Sequence, residues 1–247
     1  MVPEETPVAF SFAGTTHAVM MASPADFEDF ALGFSLTEGI IADPKEIEAI
    51  EVEDLGAGID IHLHDRGTLG LFEIEEIVAR ATASGMQGKV AVSHAYALGD
   101  ISADALARAG ERIAAAGVSI MTNAPGDHAF PPVAALRKAG VTVFAGSDNI
   151  RDSWWPYGDG DMLNRANMIG YRSGFYEDRE LETAYDVVSH AGAKALGLEG
   201  YGIAVVAKAD FVALRAEHVP EAVVAVPKDR TVYRAGKEVA RNGKVTA

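Results

Sequence analysis

Residues 59–94 read IDIHLHDRGTLGLFEIEEIVARATASGMQGKVAVSH, and the succession of patterns in this stretch decides the fold. A two-residue period over 59–64 predicts a strand, an apolar stripe at helical spacing predicts a helix over 73–84 stopped by Gly85, and 90–94 predicts a second strand. Strands joined through a helix run parallel, because such a crossover returns the chain to the same end of the sheet. The unit recurs about every 30 residues. Strands are predicted at 118–122 and 141–145, and helices at 103–116 and 132–139 with Gly117 and Gly140 as stops. The predicted class is therefore α/β, and four such units make a partial, half TIM-like barrel.

Working outward, helices are predicted near 161–173 and 180–196, and the chain turns β-rich from about 203. The short strands there are predicted at 209–214, 222–226, 231–233 and 237–240. Upstream, residues 7–22 read as a hairpin around Ala13-Gly14-Thr15. Ser23 is then predicted to cap a helix with Pro24 at its first position and Phe27, Phe30, Leu32, Phe34 and Leu36 on its apolar side, and Gly39 stops it. A short acidic strand over 47–52 and a flexible joint over 54–58 complete a small α+β segment. The predicted organisation is thus 1–58 followed by 59–247.

Charge marks the same division. Residues 1–58 carry one Lys against twelve Asp/Glu, whereas 59–247 carry twenty Lys/Arg against twenty-four, or −11 against −4. A total of −15 argues against a nucleic-acid or anionic-membrane partner, since phosphate contacts need clustered cations. With no Cys, a disulfide scaffold, a thiolate metal site and a cysteine nucleophile are excluded. No run of 18 apolar residues and no basic-then-apolar leader are present, so a cytoplasmic protein is expected.

Parallel α/β folds place chemistry at the carboxyl ends of their strands. The first strand ends Asp60-Ile61-His62-Leu63-His64-Asp65, and its period puts His62 and His64 on one face. Imidazoles ligate first-row metals and a neighbouring carboxylate carries protons. Alone, a strand-end histidine or aspartate reads as a cap or a solvated loop group. Yet His94 ends the second strand and Asp148 the fourth, an order that fits a hydrolytic metal site with ligands, a water and a base. The loop 149–161 follows with Asn149, Trp154 and Trp155 among acids. It reads either as a pocket wall for a flat polar heterocycle or as a loop anchored by buried tryptophans. Residues 123–128 end the third strand and read either as a wall of the site or, the favoured reading, as a plain turn, and His17, His190 and His218 read as structural or solvated.

The stretches IDIHLHDRGTLG, GMQGKVAVSHAYALG, VFAGSDNIRDSWWPYGDGDML and YGIAVVAKADFVAL, in this order over roughly 190 residues, resemble the second half of the cytosine deaminase-like amidohydrolases. That group includes N-isopropylammelide isopropylamidohydrolase. The resemblance implies a metal-dependent hydrolase barrel using Zn or Fe, with His62 and Asp148 as metal ligands and His94 contacting the water or substrate. Asp148 would also take the water's proton. Asp65 stands where the deaminases carry a glutamate acid/base, with His64 as a second candidate, and Ser147-Asp148-Asn149 is nearer the isopropylammelide type than the cytosine type. Deamination, or displacement of another amine, at a cytosine-, pyrimidine- or triazine-like ring is the implied reaction. The strand-one His-x-His pair of such enzymes has no counterpart upstream of Ile59, which leaves two of four ligands and places activity in question. Self-association into a homo-oligomer would close a barrel by duplicating strands five to eight, without adding that pair.

PEETPVAFSFAGTTHAVMMASPADFEDFALGFSLTEGIIADPKEIEAIEV, residues 3–52, resembles the N-terminus of a formate dehydrogenase accessory sulfurtransferase. Such proteins deliver sulfur to the formate dehydrogenase cofactor through a Cys-x-x-Cys loop, which this chain lacks. A formate dehydrogenase contact through this segment is what survives of the implication. The chain reads as a chimera of two families, with an inactive chimeric fold as the remaining alternative.

Overall fold

The computed structural model describes residues 6–12, 15–22, 25–47, 49–50 and 58–246. The chain divides into two compact units, Met1–Ala57 and Gly58–Ala247. In the first, β1 (Thr6–Phe12) and β2 (Thr15–Ala22) form an antiparallel hairpin whose register shifts between Phe10 and Ser11. Helix α1 (Phe27–Thr37) presents Phe30 and Phe34 four residues apart, and both rings meet the buried Phe10, at 5.0 and 4.4 Å between centroids. Leu36, expected on that side, is exposed. The helix begins at Phe27, later than the Ser23 cap predicts, with Asp26 in left-handed backbone before it. Ser23, Pro24, the 13–14 turn and joint residues 54–57 lie outside the described residues. So do positions 48, 51 and 52 of the predicted acidic strand. Its described residues, 47, 49 and 50, belong to no strand, and just ahead of them Asp43 and Pro44 set a 3-10 turn, Pro44–Glu46, with the Asp43 carboxylate accepting the Lys45 N–H.

The second unit is built on a four-stranded parallel sheet in sequential order. Its strands are β3 (Ile59–Leu63), β4 (Val90–His94), β5 (Ser119–Thr122) and β6 (Val143–Ala145). Registered pairing aligns Ile61, Val92, Ile120 and Val143 in one row across the sheet. That row packs into the core with Ile74 of α2 (Gly67–Ala83), α3 (Ala97–Asp100), Ile113 of α4 (Ala103–Ala115) and Leu136 of α5 (Val133–Lys138). Fully burying each such side chain contributes about 1.5–3 kcal/mol. The next row, His62, Ser93, Met121 and Phe144, faces the other way. The sheet therefore carries a greasy face under helices and a second face that leads to polar strand ends. Sequential parallel order over four βα units makes this half of a TIM-like barrel.

Helix α6 (Met162–Ser173) starts at Asp161, whose carboxylate accepts the N–H groups of Leu163 and Asn164, and Gly174 ends it in left-handed backbone. The single helix predicted over 180–196 is two, α7 (Asp178–Val187) and α8 (His190–Ala195). Ser189 breaks it: its backbone leaves the helical region and its hydroxyl donates to the Tyr185 carbonyl at 2.7 Å. An antiparallel sheet follows from β7 (Phe211–Leu214), β8 (Arg230–Arg234), β9 (Lys237–Arg241) and β10 (Lys244–Val245). The strand predicted over 222–226 is instead part of helix α9 (Val219–Ala225). His218 caps it by accepting the Glu221 N–H, Pro220 sits in its first turn, and Ala222 and Val223 are buried. Among the described residues no helix is long and apolar enough to cross a membrane.

Candidate active site

The polar residues converge where the parallel strands end. His62 is the fourth residue of β3 and His64 follows its last, with Leu63 between them turned into the core. His94 closes β4. Its ring centroid lies 5.1 Å from that of His62 and 4.4 Å from that of His64. His62 Nδ1 and His94 Nε2 are 3.2 Å apart, and one ring nitrogen from each of the three histidines falls within 4.8 Å of the others. Burial pushes the His94 imidazole below its ordinary pKa, with Asp148 opposing and the neighbouring His64 and His62 reinforcing the shift. A neutral ring with a lone pair is the form that ligates a metal.

Polar contacts hold these rings from behind. His62 Nε2 lies 3.3 Å from Asp60 Oδ2, and the Ser93 hydroxyl donates to Asp60 Oδ1 at 2.7 Å. A carboxylate behind an imidazole fixes its orientation. The Tyr96 hydroxyl lies 3.3 Å from His94 Nδ1. Asp60 was legible in principle, since it stands two residues before His62 on the same strand face. Ser93 and Tyr96 carry no local signal of this kind.

Asp148 lies beyond β6 with φ 59°, in left-handed backbone, and its Oδ2 accepts from Asn123 Nδ2 at 2.7 Å. Arg165 on α6 ties the two loops together, donating to the carbonyls of Asn123 at 2.6 Å and Ser147 at 2.8 Å. Burial lowers the guanidinium pKa there, against the pull of Asp148 and Asp159. Asn123 Oδ1 is buried with no hydrogen-bond partner among the described residues. Asp65 takes a different place. It is exposed, it does not line the cavity, and it faces Glu73, whose carboxyl is raised by burial and by this neighbour.

A cavity of roughly 1070 Å³ joins His62, His64, His94 and Asp148 to Asn149, Trp154 and Trp155. Trp154 is exposed and Trp155 half-buried, so the 149–161 loop is not anchored by two buried tryptophans. Asp152 shapes it: its carboxylate accepts from Asn149 Nδ2 at 2.8 Å and from the N–H groups of Trp154 and Trp155 at 3.0 and 3.1 Å. Those bonds, the Asn149 one first, hold the Asp152 carboxyl below its ordinary range despite some burial. Gly158, at φ 102°, leaves no room for a Cβ against the Asn149 carbonyl. Asp127 and His128, expected in a plain turn, also line the cavity. His190 faces Asp186 on α7 and His218 caps α9, both away from the cavity lining.

The donor set suits a divalent ion of borderline softness, since three imidazoles bring a ring nitrogen each within 4.8 Å of the others and a carboxylate lies close by.

Four βα units with imidazoles and a carboxylate at their carboxyl ends define part of a hydrolase-type (β/α) barrel. The chain belongs to the amidohydrolase family, whose profile matches residues 50–247. It is 32% identical over 190 residues to the N-isopropylammelide isopropyl amidohydrolase of Pseudomonas sp. strain ADP, a match covering 76% of this chain and 47% of that one. The solved N-isopropylammelide isopropylaminohydrolase of Burkholderia multivorans ATCC 17616 superposes with a TM-score of 0.74 at 40% identity, covering 88% of this chain and 52% of the other. This chain thus spans about half the length of these relatives. A separate segment, 25% of the chain, is 68% identical over 62 residues to 23% of the sulfur carrier protein FdhD of Agrobacterium fabrum. Two unrelated likenesses on separate segments fit the chimera read from the sequence.

Proposed function

We propose that this chain carries a C–N hydrolysis site for an amino-substituted pyrimidine- or triazine-like ring. The carrying observation is the meeting of His62, His64, His94 and Asp148 in one cavity walled by Trp154 and Trp155. The names of its relatives support the ring class. Imidazoles and Asp148 would hold or border a divalent metal, which when bound supplies Lewis acidity that acidifies water and polarises the ring.

The protein's own groups do the rest. Asn123 orients the Asp148 carboxylate, which takes one proton from the attacking water. As the ring carbon gains oxygen and its C–N bond breaks, Asp148 returns that proton to the departing nitrogen. The ring keeps the oxygen, the amine leaves neutral, and the carboxylate is restored. Asp65 faces Glu73 and does not line the cavity, so the proton step goes to Asp148. Trp154 and Trp155 stack a flat ring, and Asn149 borders its polar edge. Incubating the metal-loaded chain with ammelide and cytosine analogues tests this reading. Amine release abolished by Asp148→Asn supports it, whereas no release from any analogue rejects it in favour of an inactive fold.

The N-terminal segment favours a second, independent reading. Its 68% identity to a sulfur carrier protein supports a retained formate dehydrogenase contact, without sulfur chemistry because the chain has no Cys. Equal recovery of formate dehydrogenase by the full chain and by a deletion of 1–58 would remove it.

A further inference from the structure

We propose that His64 is a metal ligand, completing with His62 and His94 a three-imidazole site for a divalent ion of the zinc, cobalt or nickel kind. The resemblance assigns the ion to His62 and Asp148, with no ligand role for His64. The arrangement points elsewhere. Two nitrogens bound to one tetrahedral ion at about 2.0–2.1 Å stand roughly 3.3 Å apart, and His62 Nδ1 and His94 Nε2 are already 3.2 Å apart. A His64 nitrogen completes the group within 4.8 Å.

The surroundings agree with this assignment. Asp60, itself held by the Ser93 hydroxyl, stands at the remaining nitrogen of His62, which aims Nδ1 at the cluster. Tyr96 does the same for His94 through Nδ1, leaving Nε2 inward. His64 is packed against the His94 ring and stacked on Tyr96 at 5.7 Å, so its ring has a defined seat although the residue is exposed. Asp148, by contrast, gives Oδ2 to Asn123. Its carboxylate is better placed to orient water than to spend itself on the ion. His62 lies on β3, His64 just past its end and His94 on the adjacent β4, so the ends of two neighbouring strands hold the ion and no strand-one pair is needed. The inference deepens the hydrolytic reading, because it supplies the ligands that reading lacks.

Cobalt titration of the full-length, chelator-stripped chain tests the assignment without substrate. The parent is expected to bind one equivalent of Co(II) with the visible bands of a low-coordinate ion. His64→Ala should weaken binding by more than about 100-fold, since even outer partners of ligands cost about 10–100-fold. Asp148→Asn should lose less than about 10-fold, the lower limit for even an outer partner of a ligand. Far-UV circular dichroism checks that each variant folds. Should His64→Ala lose structure, His64→Gln takes its place with the same expectation. Parent-like Co(II) binding in the His64 variant, loss of binding in Asp148→Asn alone, or no binding by the parent would each overturn the assignment. Intact binding with no amine release upholds the ligand set and removes only the reaction.

Discussion

The two ends of the parallel sheet use the same backbone conformation with different residues. At the amino-terminal end, the turns leading into β4, β5 and β6 pass through left-handed backbone at Gly85, Gly117 and Gly140, where a missing Cβ makes that conformation inexpensive. At the carboxyl end, positive φ falls on His94, Ala95, Ala124 and Asp148, each bearing a Cβ and strained by it. One end is built for closure. The other accepts strain, and two of its four strained residues are the ones to which chemistry is assigned.

The sharpest test of this contrast is at Asp148. Asp148→Asn should lower amine release by about a thousandfold, the scale of a lost proton carrier. Asp148→Gly should be as inactive while staying within about 1 kcal/mol of the parent in urea unfolding, because relief of strain offsets glycine's entropy. A large stability loss in the glycine variant would mean that the strained end is structural after all. Next in size, Arg165→Met should cost about 3 kcal/mol, since it removes two charge-assisted bonds to the carbonyls of Asn123 and Ser147. At the opposite end, Gly117→Ala should cost about 2 kcal/mol and Gly85→Ala about 1 kcal/mol. The Gly117 Cβ would meet the Gly88 nitrogen at 2.9 Å, whereas that of Gly85 meets open space. Neither should alter amine release per folded molecule.

The smallest effect is a pH dependence. Burial raises the Asp161 carboxyl, but hydrogen bonds from Arg230 and the Asn164 N–H, and the nearby Arg230 and Lys228 charges, outweigh it and leave the folded pKa depressed. The resulting stability is complete above the ordinary carboxylate value and disappears as acid carries the pH down through the folded value. Thermal melts should show this limb, worth about 1 kcal/mol, and Asp161→Asn should flatten it.

The βα rhythm was legible because each element leaves a local trace: a period, a cap or a stopping glycine. Local ambiguity explains where sequence and structure differ. Residues 222–226 are a short Val- and Ala-rich run that suits either state, and the deciding signals, the His218 cap and Pro220, stand just ahead of it. Ser189 is an ordinary residue in a helical pattern until its hydroxyl finds the Tyr185 carbonyl. In the site, His62, His94 and Asp148 could be picked out because strand ends are readable. That Asp65 turns to Glu73, or that Arg165 reaches back 42 residues to Asn123, depends on packing that no sequence window contains.

Both tryptophans of the chain lie in the loop that Asp152 and Gly158 shape, on the rim of the cavity. Light absorbed selectively by indole therefore samples this rim and nothing else in the protein. Trp154, 83% exposed, emits as a solvated indole, so a ring sliding beneath it should register as a blue shift or quenching. The molecule carries its own optical gauge of occupancy, readable with no label.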